Sequence, residues 1–109
     1  MAGDSRDRNP GKRLLVLGAG PAQLGLLAAA RARELYVIAL DRDPSAPGFR
    51  YADRRAIVST EDESGIERLA SAERVDGLIA PGIDWPVAIA ARISQRLGVP
   101  HPISPETAA

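Results

Sequence analysis

The sequence has no cysteine and a single histidine, His101. That excludes a disulfide framework, a thiol nucleophile, a zinc-thiolate centre and a multi-histidine metal site. Net charge is also missing: 14 basic residues balance 14 acidic ones. With no surplus of cations to exchange for counterions, bulk binding to nucleic acid or to an anionic membrane is not expected. Lysine occurs once, at Lys12, outside any expected fixed element. No lysine can therefore reach a nucleoside triphosphate from the body of the fold, and no cluster of acids is spaced to hold magnesium. We assign no catalytic residue, no metal ligand and no cofactor to this chain on its own.

A long apolar run is absent too. Residues 14–30 carry no charge and follow Arg6, Arg8, Lys12 and Arg13, as a leader or membrane span would, but Gly18, Gly20, Pro21 and Gln23 interrupt them. A bilayer needs about 20 mostly apolar residues, and Asp4 and Asp7 spoil a basic leader. The stretch reads instead as a buried strand and a buried helix joined by a glycine turn, and a cytoplasmic protein is expected. A length of 109 residues allows one domain with a modest core.

Residues 1–12 are polar and lack periodicity, which predicts a disordered tail. From Arg13 onward short apolar runs alternate with helical patterns, the signature of parallel βαβ units. Strands are expected at 14–17, 36–40, 56–59 and 75–80, with a possible fifth from Val99. Helices are expected at 21–34, from Thr60 or Asp62 with Ile66, Leu69 and Ala70 inward, and from about Trp85 to Gly98. The fold class is therefore α/β, a single doubly wound Rossmann-like parallel sheet in the order 3-2-1-4, because right-handed crossovers from a central first strand allow little else. The domain is expected to span 13–103. Residues 104–109, with Ser104, Pro105 and Glu106, read as the start of a further helix.

In such sheets ligands bind beyond the carboxyl ends of the strands. The exits here are residues 18–21, 41–43, 59–60 and 81–84. Gly18 and Gly20 fit the first two glycines of a dinucleotide-binding turn, Gln23 stands where the third would be, and Gly25 comes two residues late. Pro21 suits the first helical position, and free amides after Gly20 would attract a small anion. Asp41 lies about 20 residues on, where an acid would meet a ribose. Asp84 caps the last long helix or touches ligand. Arg50, Arg54 and Arg55 form a small basic cluster. A stand-alone nucleotide-binding or sensing module and a ligand-free interaction domain both remain open at this point.

The residues 15–25, Leu-Val-Leu-Gly-Ala-Gly-Pro-Ala-Gln-Leu-Gly, with Asp41-Arg42-Asp43-Pro44, then Ala46-Pro47-Gly48 and Ala52-Asp53, resemble the N-terminal domain of ATP-grasp enzymes. This pre-ATP-grasp domain precedes the ATP-binding lobes in biotin carboxylase, the carbamoyl-phosphate synthase large subunit and purine-biosynthetic carboxylases. Asp76-Gly77 and Gly98-Val99-Pro100 extend the likeness. The resemblance implies the substrate-side domain of an ATP-dependent carboxylate-amine or carboxylate-thiol ligase, inactive alone. ATP and magnesium would be held by C-terminal lobes of the full-length protein. It further implies an acceptor site for a small carboxylate or other anion, lined by Gly18, Gly20, Pro21 and Gln23 with Asp41 and Asp84 at neighbouring exits, and a possible homodimer.

Overall fold

The computed structural model describes residues 12–80 and 84–99, apart from the side chains of residues 84–86. Four strands, β1 (Arg13–Leu17), β2 (Tyr36–Asp41), β3 (Arg54–Ile57) and β4 (Gly77–Ile79), pair in parallel in the order β3-β2-β1-β4. Of three helices, α1 (Leu24–Ala32) joins β1 to β2, α2 (Glu63–Glu73) joins β3 to β4 and α3 (Asp84–Leu97) follows β4, while a loop with a 3-10 turn joins β2 to β3. This is the expected sheet order. Within the described residues there is no fifth strand: Val99 lies outside strand structure, and the rest of that expectation, like residues 1–11 and 100–109, falls outside the described residues.

The central pair is apolar on both faces, which suits strands covered on both sides by helices. Alternation then sorts the side chains. Leu15, Leu17, Ile38 and Leu40 meet Ile66 of α2 and Ile89 and Ile93 of α3 on one face. Val16, Val37 and Ala39 meet Leu27 and Ala30 of α1 and Phe49 on the other. Each fully buried Leu or Ile removes enough apolar surface from water to contribute about 1.5–3 kcal/mol.

Several boundaries differ from expectation for identifiable reasons. The third strand begins two residues early, at Arg54, because Asp53 already pairs with β2: its N–H donates to the Val37 carbonyl at 2.8 Å and its carboxylate accepts the Val37 N–H at 2.8 Å. The fourth strand is shorter than expected because the Val75 N–H closes the end of α2 on the Ala70 carbonyl. Asp62, rather than Thr60, caps α2 by accepting the Gly65 N–H at 3.0 Å. A Cβ on Gly65 would meet that carboxylate, so a larger residue there would make the Asp62 side chain shift. Glu34 and Arg74, just past α1 and α2, take left-handed φ values of 63° and 53°.

The amino-terminal edge is clamped by Arg13. Its guanidinium donates to the Glu73 carbonyl at 2.6 Å and carboxylate at 2.8 Å, and lies 4.3 Å from the centre of the Tyr36 ring. Its backbone exchanges bonds with Asp76, the Arg13 N–H donating to the carboxylate and the Asp76 N–H to the Arg13 carbonyl, each at 2.7 Å. Across the other side of the fold, Glu63 of α2 receives Arg92 at 2.8 Å and Arg96 at 2.7 Å from α3. The hydrogen bonds from Arg92 and then Arg96 lower the Glu63 pKa to about 2.

Two outcomes follow. Because Glu63 ionises more readily folded than unfolded, its pairing stabilises the fold in full above about pH 4.5, and the stabilisation disappears as pH falls through about 2. The stability difference between wild type and Glu63→Gln in urea titrations should shrink over that window and also fall with added salt. Separately, a Cβ on Gly48 would lie 2.5 Å from Leu27 Cδ1 and 2.6 Å from the Ala19 carbonyl oxygen, whereas one on Gly25 meets nothing within 4 Å. Gly48→Ala should destabilise by about 1–3 kcal/mol through overpacking, and Gly25→Ala should stabilise by about 0.5–1 kcal/mol through helix propensity, both read from urea midpoints.

Candidate functional site

The turn after β1 is built from a series of backbone hydrogen bonds. Gly18 takes φ 106°, a conformation that strains any residue with a Cβ, and its N–H donates to the Leu40 carbonyl at 2.8 Å. Ala19 is fully buried; its N–H donates to Asp41 Oδ2 at 3.0 Å and its carbonyl accepts the Gly48 N–H at 2.6 Å. The Gly20 N–H donates to Gln23 Oε1 at 2.8 Å, and the Gln23 N–H returns to the Gly20 carbonyl at 3.0 Å. Pro21 opens a single 3-10 turn, Pro21–Gln23, before α1 begins at Leu24.

The residue requiring glycine for its backbone is Gly18; Gly20, at φ −78° and ψ −174°, is extended and open to other residues. The turn offers fewer free amides than expected, since the N–H groups of Gly18, Ala19, Gly20 and Gln23 all donate within the protein and Pro21 has none; that of Ala22 is not among the donors so used. Gln23 supplies the side-chain half of a capping box, its Oε1 accepting the Gly20 N–H, while the return bond is a backbone turn bond because glycine has no side chain; its side chain lies over the turn, 3.1 Å from where a Cβ on Gly18 would stand.

Asp41 joins this turn to the next exit. While Oδ2 holds Ala19, Oδ1 accepts the Asp43 N–H at 2.9 Å. Asp43 in turn accepts from the Ser45 N–H at 2.9 Å and its hydroxyl at 2.8 Å, bonds that hold the Asp43 carboxyl below the usual range. The chain then enters a 3-10 turn, Pro47–Tyr51, whose Gly48 reaches back to Ala19. Thus Asp41, Asp43, Gly48 and Asp53 are what shapes the loop from β2 to β3. Asp41 supports the turn with both oxygens.

Beside Asp41 a polar cleft of about 220 Å³, lined also by Arg42, Ser59, Thr60 and Glu61, opens at the ends of β2 and β3. Arg42, Ser59 and Thr60 lie in exits visible in sequence; Glu61 was missed, one residue beyond the 59–60 exit. The structure therefore brings Gly18, Gly20, Gln23 and Asp41 together around one turn, with Pro21 next to them. Asp84 is the first residue of α3, with its side chain outside the described residues. The basic cluster disperses: Arg54 pairs with Glu73 at 2.7 Å, Arg55 lies 5.9 Å from the Phe49 ring centre, and Arg50 lies 5.8 Å from that of Tyr51. His101 is outside the described residues.

No protein-family model matches the chain. Over 72 residues it is 35% identical to the formate-dependent phosphoribosylglycinamide formyltransferase of Burkholderia thailandensis, covering 66% of this chain and 18% of that one. Among solved structures it is similar to phosphoribosylglycinamide synthetase from Anaerococcus prevotii, with TM-score 0.76 and 30% identity over 87% of this chain and 24% of the other. It is also similar to N5-carboxyaminoimidazole ribonucleotide synthetase from Thermotoga maritima, with TM-score 0.72 and 25% identity over 88% and 26%. These relatives are ATP-grasp carboxylate-amine ligases, and the match is to their N-terminal, pre-ATP-grasp region. The chain spans between 18% and 26% of their length.

The bridging role of Asp41 has a measurable cost. Asp41→Ala leaves the Ala19 and Asp43 amides without their acceptor; the exposed Asp43 amide can turn to water, whereas a buried donor such as that of Ala19 costs about 1–3 kcal/mol in that condition. Thermal or urea unfolding should show destabilisation of that order, and hydrogen exchange should accelerate at Ala19 and Asp43 ahead of the Arg13 clamp at the opposite edge.

Proposed function

We propose that this chain is the substrate-side, N-terminal domain of an ATP-grasp carboxylate-amine ligase, and that its glycine turn forms one wall of the site for a phosphoribosylated acceptor. The observation that carries the reading is the turn itself. Gly18, Gly20 and Gln23 are held by Asp41 at the carboxyl edge of the sheet, where doubly wound folds bind ligands, in a chain whose three relatives above are named for phosphoribosyl or ribonucleotide compounds. In this reading Gln23 and Pro21 face the acceptor, Gly18 and Gly20 shape the backbone behind them, and Asp41 positions the turn from within. Asp84, at the head of α3, would contribute from the neighbouring exit.

The described residues offer no site suited to ATP and magnesium. Among the described residues no group of three or more His, Cys, Asp or Glu side chains could hold a metal ion. Lys12, the one lysine, lines a groove at the amino-terminal edge with Arg13 and Asp76, away from the strand exits. The proposal therefore places ATP, magnesium and the chemical step on ATP-grasp lobes beyond these residues. The partners are those lobes and a small-molecule acceptor. A second copy of the chain belongs to the same proposal. No described helix is long and apolar enough to cross a membrane, and a cytoplasmic setting suits a ligase of this type.

The test is a nitrogen-15 NMR titration of the 109-residue chain with phosphoribosylglycinamide and, separately, with NAD. Phosphoribosylglycinamide should shift the amide signals of Gly18, Gly20 and Gln23 at millimolar concentration, NAD should leave them unmoved because Gln23 stands where a dinucleotide-binding turn has its third glycine, and the chain with magnesium-ATP should release no phosphate. Shifts confined to Lys12, Arg13 and Asp76, or saturable NAD binding at the turn, would overturn the proposal.

A further inference from the structure

The β3 edge of the sheet is open. Within the described residues β3 pairs only with β2, and the Val58 N–H, donating to the Asp41 carbonyl at 3.2 Å, sets the phase of that ladder. Even-numbered positions face β2, so Arg55 and Ile57 direct their N–H and carbonyl groups away from the sheet, a row of main-chain donors and acceptors fit for another strand. Ile57 is also the one large hydrophobic side chain exposed among the described residues, at 52%. Ala56 and Val58 pack toward α2 and α3, whereas on the opposite face α1 covers Val16, Val37 and Ala39 and leaves Ile57 bare. Charge runs along this edge in one direction. At its amino-terminal end Arg50, Arg54 and Arg55 are exposed; Arg54 pairs with Glu73, while Arg50 and Arg55 have ring contacts and no carboxylate partner among the described residues. At the other end Asp43, Glu61 and Asp62 are exposed, with Arg42 the one cation among them.

We propose that the free edge of β3 is a docking surface for a second copy of this chain, whose own β3 pairs with it antiparallel about a twofold axis beside Ala56. This names the surface for the second copy included in the proposed function and rests on that part of the reading; the turn at Gly18 to Gln23 takes no part in it. The polarity of the edge selects the occupant. A uniformly acidic strand would suit the arginine end and be repelled at the other, and a parallel copy would set like charges side by side. An antiparallel copy alone brings the basic end of each edge to the acidic end of the other. In that register Arg55 and Ile57 exchange main-chain bonds with Ile57 and Arg55 of the second copy, and each Ile57 is covered by the aliphatic stem of the facing arginine. A strand of four residues is a small patch beside the about 1,000 Å² of a stable interface, so the association is weak, and its electrostatic share makes it fall with added salt.

The experiment is sedimentation velocity of the full 109-residue chain at low salt, which should show a monomer–dimer equilibrium between micromolar and millimolar concentration. Ile57→Lys alters an exposed side chain, so it should leave the urea midpoint in place while raising the dimer dissociation constant about tenfold or more. Arg55→Glu weakens the basic end and Glu61→Arg the acidic end, and each alone should weaken association to a similar degree. In an equimolar mixture of those two variants the intact acidic end of the first meets the intact basic end of the second. The mixture should therefore associate more tightly than either variant alone, a result that loss of folding cannot produce. A dimer indifferent to all three substitutions uses another face, which overturns the inference and leaves a second copy in the proposed function. A monomer at every concentration overturns both.

Discussion

The carboxylate of Asp41 is the interaction on which the carboxyl edge of this fold depends. It stands at the end of β2 and reaches across to Ala19, the residue after the left-handed Gly18, while its second oxygen holds Asp43. A buried N–H leaving the last bond of a strand must find an acceptor, and a side-chain carboxylate supplies one without extending the sheet. Once Ala19 is held through its N–H, its carbonyl is free to receive Gly48, which draws the loop from β2 to β3 over the turn. The closeness of that approach explains the glycine at position 48 as much as the φ of 106° explains the one at position 18. Three separate sequence motifs are thus one mechanical unit.

The two edges of the sheet are secured by different physics. At the amino-terminal edge Arg13 is packed on Tyr36 and bonded to Glu73, and its guanidinium is largely withdrawn from solvent at 19% exposure. Planar stacking and a paired carboxylate are what a guanidinium needs to be buried at low cost. At the carboxyl edge the fastening is made by backbone donors and short acidic side chains, which leaves longer polar groups free to point outward. Gln23, Arg42, Thr60 and Glu61 are therefore available there in a way that Arg13, Glu73 and Asp76 are not. The strongly shifted carboxylate of the fold, Glu63, belongs to the pair of helices α2 and α3, where two arginines explain its low pKa structurally. Perturbed titration here marks a helix-helix contact and gives no pointer to a general acid or base.

Much of this was legible in the residues, and the exceptions share a cause. Strands β1 and β2 are uniformly apolar because both their faces are covered, so their positions and the sheet order could be read directly. The edge strand β3 could not: its first residues, Arg54 and Arg55, look like loop, and what makes them strand is the pairing of Asp53 with Val37, a contact 16 residues away in sequence. Asp41 was located correctly by spacing, yet its partner could not be known. A fingerprint spaced for a ribose and a carboxylate used to fasten a turn have the same sequence signature. The glycines could not be told apart for a similar reason, since composition shows where glycine is and φ decides which one is needed.

Gln23 shows how a departure from a motif carries its own information. Counted against a dinucleotide fingerprint, it is a missing third glycine and a reason to doubt binding. Counted against helix-capping chemistry, Gly20 and Gln23 have the N-cap and third-position spacing of a capping box, with the glutamine reaching back to the N-cap amide. That reading needs the coordinates, because glycine has no side chain with which to complete the box and only the glutamine half of it forms. The consequence is mechanical: the Gly20 N–H is held by Gln23 Oε1 and the Gln23 N–H by the Gly20 carbonyl, so α1 starts from a turn whose polar groups are mostly engaged with one another. A position that breaks one motif is here the fastening of the helix start, and the same residue counts against a dinucleotide fingerprint for the reason that it counts toward a fixed turn.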